Sequence, residues 1–159
     1  MLLLWETGVR LSRESGYGID GLVALAEQPA GTVLLLTEIA TAQQLPQSFL
    51  AKIFQKLARH GIVRSFRGAV RGYALAQRPE HISLKAVLLA IEGPELFERC
   101  VLWSDRCASR NPCRLHAQWV EVVRDVHEPL LMRTTLADVL ASKPHQRKRP
   151  RRKQALGKR

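Results

Sequence analysis

The hydrophobic period of this chain switches from helical to strand spacing at Gly61 and back again at Ser83. That double switch limits the fold more than any other feature. Before it, Ile19, Leu22, Val23, Leu25 and Ala26 place a first helix from Tyr17 to about Gln28, stopped by Pro29-Ala30-Gly31. Tyr17 reads as a packed aromatic. Thr37 is suited to cap a short second helix, Glu38 to Gln44. Pro46 suits the first turn of a third. On that helix Phe49, Leu50, Ile53 and Leu57 read as core, and Ser48, Lys52, Gln55 and Arg59 lie on another face. After Gly61, Ile62–Phe66 and Gly72–Ala76 read as paired strands. Arg67-Gly68-Ala69-Val70-Arg71 joins them as a hairpin tip with an arginine at each end.

Helical spacing then returns. Ser83 caps a fourth helix, Leu84 to Glu92, ended by Gly93-Pro94. Asn111-Pro112 reads as the start of a long helix carrying Leu115, Trp119, Val122, Val123 and Val126, with Pro129 expected to end or kink it. Thr135-Leu136-Ala137-Asp138 has the spacing of a capping box before a last short helix. The expected fold is mainly α with a small β-hairpin wing.

Two helices joined by a short turn, followed by a basic hairpin, outline a winged helix-turn-helix. A helix fits the major groove of duplex DNA, and its first turns reach base edges. Gln47, Ser48 and Lys52 are placed for that role. Gln55 and Arg59 suit phosphates or the groove rim, and Arg67 and Arg71 suit phosphates or the minor groove. The same pattern also fits a small core with a solvated polar face. Charge adds to the DNA reading at the C-terminus. Nine of the 25 Lys and Arg residues lie in 143–159, where there is no acid, so the remaining 16 nearly balance the 14 Asp and Glu. That tail is expected to be a disordered arm with affinity for polyanions.

The three cysteines stand within one short stretch, as Cys100-x6-Cys107-x5-Cys113-x2-His116. In a reducing compartment such a cluster points to metal or redox chemistry rather than to a structural disulfide. Thiolates hold iron–sulfur clusters, and His replaces Cys in some 2Fe–2S sites. A helix opening at Pro112 would put Cys113 and His116 on one face, with the helix N-terminus favouring the thiolate. A Cys3His zinc site has the same ligand inventory, and three buried small side chains would need no metal at all.

Taken together these residues resemble the winged-helix regulators of iron–sulfur assembly and of nitric-oxide or iron response, the IscR/NsrR type. The resemblance spans about residues 10–142. It rests on Tyr17, Ser48-Phe49-Leu50, Leu57, Gly61-Ile62-Val63, Arg67-Gly68, Gly72-Tyr73-Ala74-Leu75, Ile82-Ser83, Ile91-Glu92-Gly93, the cysteines, His116, Trp119 and Thr135-Leu136-Ala137-Asp138. It implies a homodimer paired through the long helix and reading a palindromic operator. It makes Cys100, Cys107 and Cys113 cluster ligands, with His116 as fourth ligand to a 2Fe–2S group. It places Ser48, Ala51 and Lys52 at bases and Arg67 in the minor groove. Where relatives hold 4Fe–4S through an N-terminal carboxylate, Glu14 is the residue here that can serve. The first cysteine gap is six residues where five is usual. Ala51 replaces a common acidic residue, and Arg71 a usual glycine.

The resulting organisation is a lead-in (1–9), a winged DNA-binding domain (10–93), a cluster loop (94–116), a dimerisation helix with a C-terminal helix (112–142) and the basic tail (143–159). The expected function is a cluster-dependent transcriptional regulator, most simply a repressor, that senses iron–sulfur status, redox stress or nitric oxide. A zinc-bound or thiol-switched regulator and an iron–sulfur electron carrier are the alternatives. No P-loop, G-x-G-x-x-G or nucleophile–base pairing supports an enzyme. No apolar run approaches a membrane span and no signal peptide is evident, so the cytoplasm is the expected location.

Overall fold

The computed structural model describes residues 11–100, 106–107 and 110–142. The expected lead-in and basic tail, and part of the cysteine loop, lie outside these. Among the described residues, seven α-helices and one hairpin follow in the order α1 (Arg13–Ala26), α2 (Leu36–Gln43), α3 (Gln47–Arg59), β1 (Val63–Phe66), β2 (Gly72–Leu75), α4 (Leu84–Glu92), α5 (His116–Val122), α6 (Glu128–Arg133) and α7 (Leu136–Ala141). No helix among the described residues is long and apolar enough to cross a membrane.

The first helix begins earlier than its apolar pattern suggests. Ser12 caps it, its side chain accepting from the Ser15 N–H at 3.3 Å. The second helix begins at Leu36, so Thr37 lies inside it and is not its cap. Glu38 instead reaches back from the first turn, and its carboxylate accepts the Leu35 N–H at 2.7 Å. Gln44, in the left-handed region at φ 55°, turns the chain into α3.

The main core fills the space between α1, α2, α3, α4 and α7. Leu50, Ile53, Phe54 and Leu57 are fully buried on the inner face of α3, beside Leu22, Ile39, Val87 and Leu136. Phe49 is not part of this core; it is 51% exposed. Successive helix residues are about 100° apart, so Phe49 cannot share the inward direction of Leu50. Phe54 takes the aromatic place instead, edge-on to Tyr73 with ring centroids 5.0 Å apart.

The hairpin pairs Val63 with Leu75 through Phe66 with Gly72, antiparallel. Leu34 and Tyr73 exchange two main-chain hydrogen bonds, at 2.8 and 3.0 Å, and so fasten the wing to the α1–α2 connection. Gly72 makes this possible. It has φ 143°, and a Cβ there would lie 2.2 Å from the Leu34 carbonyl oxygen. Gly72→Ala is therefore expected to cost about 2 kcal/mol or more and to detach the wing. Thermal melting and hydrogen exchange at Tyr73 test this; a variant as stable and as protected as wild type would contradict it.

Pro129 does not end the long helix. α5 runs through a π-helical turn, Val123–His127, straight into α6. The Glu128 N–H reaches back five residues to the Val123 carbonyl. A wider turn makes room where proline brings a ring and no N–H. One face of this helix packs through Val123, Trp119 and Leu131 on Leu88, Leu96 and Phe97, a second and smaller core. Lys85 pairs with Glu128 across the same seam and lies 6.0 Å from the Phe97 ring centre. α7 then returns to the main core. Its cap is the expected capping box, with Thr135 and Asp138 bonded reciprocally, and Leu136 donates to the Ile82 carbonyl at 2.8 Å.

Candidate nucleic-acid interface and metal centre

The turn between α2 and α3 leaves one side of α3 clear of the protein. Gln47, Ser48, Lys52, Gln55 and Arg59 are exposed on it, and Ala51 is half-buried at its edge. α3 carries no acidic residue. Arg67 and Arg71 are exposed at the two ends of the hairpin tip. All eight residues singled out from the sequence for DNA contact thus lie on or beside open surface. Lys56 is different. It donates to Glu14 at 2.9 Å and to the Ile91 carbonyl at 3.0 Å, so it locks α3 to α1 and α4. Glu14, the carboxylate singled out as a possible fourth ligand, is engaged in that pair.

The cysteines converge although they do not sit as the sequence suggests. The helix opens at His116, not at Pro112. Cys113 precedes it in a turn whose carbonyl accepts the His116 N–H at 3.0 Å. That turn, rather than a shared helix face, brings the two side chains to one place. The three sulfurs lie within 4.8 Å of one another, with Cys100 Sγ and Cys113 Sγ 3.6 Å apart. His116 Nδ1 lies 3.3 Å from Cys107 Sγ, and His116 is only 7% exposed. Cys100 is buried, while Cys107 and Cys113 border an open depression with Arg106, Asn111 and Pro112. Three soft thiol donors with an imidazole beside them suit zinc or an iron–sulfur group and suit hard cations poorly.

The Cys113 N–H points at Cys107 Sγ from 3.1 Å and is the strongest influence on that thiol, drawing its pKa down. Loss of hydration and hydrogen bonds with the Cys113 and Cys100 thiols more than offset it, so the Cys107 pKa stands above the ordinary thiol value. Metal entry at these sulfurs therefore displaces protons.

Sequence reasoning missed the role of Glu92. Its carboxylate, only 4% exposed, accepts from the Ser12 N–H and the Ser15 hydroxyl, each at 2.7 Å. Arg99 binds its other oxygen at 3.3 Å and the Glu92 carbonyl at 3.1 Å. The residue just before Cys100 is thereby tied to the start of α1. The available signal was the run of small hydroxyls Ser12 and Ser15 at a helix start, which need an acceptor when buried.

Burial alone would raise the Glu92 pKa. The bonds from Ser12 and Ser15 and the Arg99 charge outweigh it and hold the pKa below the ordinary 4.5. The ionised form is thus favoured in the folded state. Its contribution is present in full above about pH 4.5 and is lost as pH falls through the lower folded value. Glu92→Gln is expected to be less stable than wild type at neutral pH, with the gap closing below pH 4.5. Melting curves from pH 7 to pH 3 show this, and a gap constant across that range would refute it.

The family model described as Rrf2, an iron-dependent transcriptional regulator, matches residues 11–142. Rv1287 of Mycobacterium tuberculosis is 35% identical over 131 residues, covering 82% of this chain and 81% of that one. The HTH-type transcriptional regulator IscR of Sodalis glossinidius is 26% identical over 134 residues, covering 84% and 80%. Among solved structures, CymR, the global cysteine regulator of B. subtilis, superposes with a TM-score of 0.65 at 25% identity, covering 91% of this chain and all of that one. IscR of T. potens gives 0.63 at 28% identity, covering 87% and 95%.

Proposed function

Since the chain belongs to the Rrf2 family of DNA-binding transcriptional regulators, we propose that it is an iron–sulfur-dependent repressor whose cysteine loop sets its operator affinity. The convergence of three thiols and a buried imidazole beside the winged domain carries this reading. Cys100, Cys107, Cys113 and His116 are the proposed ligands, to a 2Fe–2S group by preference. Engagement of Glu14 with Lys56 favours His116 over a carboxylate as the fourth. When bound, the group supplies sensitivity to oxidant, nitric oxide and iron supply.

The protein's own residues do the rest. Gln47, Ser48, Ala51 and Lys52 are the proposed base-reading residues. Gln55 and Arg59 meet the groove rim, and Arg67 and Arg71 meet phosphates or the minor groove. Residues 10–93 form the proposed DNA-binding domain, 94–116 the loop and 112–142 the dimerisation and C-terminal helices. Val122, Val126 and Leu130 are exposed apolar residues on the helix beyond the loop, and Leu115, also exposed, directly precedes it. A second copy of the chain covering them would supply the two-fold axis that a palindromic operator requires. The bonds from Arg99 to Glu92, and from Ser12 and Ser15 to Glu92, give the loop a contiguous path to α1.

A second reading has its own support. A Cys100–Cys113 sulfur separation of 3.6 Å is close to the edge of about 3.8 Å expected for thiolates around one tetrahedral zinc. Iron and acid-labile sulfide counted per chain after anaerobic purification, with the visible spectrum, test both. About two of each per chain with structured visible bands supports the 2Fe–2S regulator. About four of each makes His116 dispensable. Stoichiometric zinc without sulfide replaces the cluster by a structural ion.

A further inference from the structure

The outward side of α3 holds one residue that hydrogen bonding cannot explain. Gln47, Ser48, Lys52, Gln55 and Arg59 are polar or basic, but Phe49, at the first turn, is a large apolar ring left 51% exposed. It belongs to neither buried cluster. The neighbouring aromatic of the same helix, Phe54, is fully buried, so the fold does not lack room for a ring inside. At about 100° per residue, Phe49 is turned roughly 60° from Lys52, toward the same flank of the helix.

Resting on the reading of α3 as the helix that enters the major groove, we infer that Phe49 is a specificity-determining residue that recognises thymine through its C5 methyl group. A phenyl ring has no donor or acceptor for a phosphate or a base edge. The thymine methyl is the apolar feature that the major groove offers. The first turn of a groove helix is where base contacts are made. The surroundings also favour nucleic acid over an apolar protein surface. α3 has no carboxylate, and Lys52 and Arg59 stand exposed on it. A phosphate-lined groove neutralises those charges, whereas an apolar partner would have to bury them.

The test uses the full chain, in whichever of its metal-loaded or metal-free forms retains duplex, and a site selected with it from a random duplex library. Each thymine of that site is replaced in turn by deoxyuridine, which removes only the methyl. Wild type is expected to lose affinity about three- to ten-fold at one or more thymines. Phe49→Ser should bind the unmodified site more weakly by a similar factor and be indifferent to those same replacements. Phe49→Leu, which keeps an apolar group, should retain part of the methyl dependence. Equal methyl dependence in wild type and Phe49→Ser overturns the inference while leaving α3 as the DNA-reading helix. So does a Phe49→Ser variant that changes only the oligomeric state, since the ring then covers a second copy of the chain. Failure to enrich any duplex sinks the DNA reading of α3 itself, and this inference with it.

Discussion

Cys107→Ala is expected to yield a folded protein that holds neither iron nor sulfide and whose DNA affinity no longer answers to nitric oxide or iron supply. Cys107 is only half-buried, it is touched by the Cys113 N–H and by His116, and it contributes to neither apolar core. Its loss therefore removes a donor without opening a cavity. Loss of an outer partner of a metal ligand already costs about 10- to 100-fold in metal affinity, and loss of a ligand costs more. Far-UV circular dichroism unchanged from the metal-free wild type would establish the fold. Metal analysis and DNA titration before and after exposure to nitric oxide then decide the matter. Iron and sulfide at wild-type levels, or a preserved response, would refute both the ligand assignment and the mechanism built on it.

The largest stability effect is expected at Phe54. Its ring is fully buried in the same core cluster as Leu50, lies beside Gly21 and makes an edge-to-face contact with Tyr73, so Phe54→Ala empties the centre of the main core. Large-to-small changes of this kind cost about 3–5 kcal/mol, much of what a domain of this size has to spare. A fall in Tm of about 10 °C or more is expected. Phe49→Ala, five residues away on the same helix, should stay within about 0.5 kcal/mol of wild type. Equal losses for the two would mean that the ring assignments are wrong.

These two phenylalanines also show what was legible in the sequence. Apolar spacing found α3 and its inward residues Leu50, Ile53 and Leu57, because burial of one helix face leaves a periodic trace. It mistook Phe49 for core and passed over Phe54, because composition marks both rings as apolar and only a strict angular count separates them. The hairpin and α4 were visible nearly to the residue. Gly61, Gly72, Ser83 and Gly93 punctuate them, and each marks a turn or a cap that the backbone needs. The start of α1 was not visible. Ser15 and Gly16 are poor helix formers, and what holds Ser15 is a carboxylate 77 residues later in the chain, Glu92. The grouping of Cys100, Cys107, Cys113 and His116 was legible from their spacing. The reason given for it was not, since a turn before His116 does what a helix from Pro112 was expected to do.

The π-helical turn ahead of Pro129 has a consequence for phase. In a regular α-helix, residues four apart drift around the axis by about 40° at each step. Val122, Val126 and Leu130 are spaced by four and flank or span Val123–His127. A turn that takes more residues to close absorbs that drift. The three side chains can then stand in one straight row parallel to the axis instead of winding away along it. A straight row is what the second copy proposed above would meet along its whole length, so the proline expected to end or kink the helix lies where its outer row is kept in step for that proposed pairing.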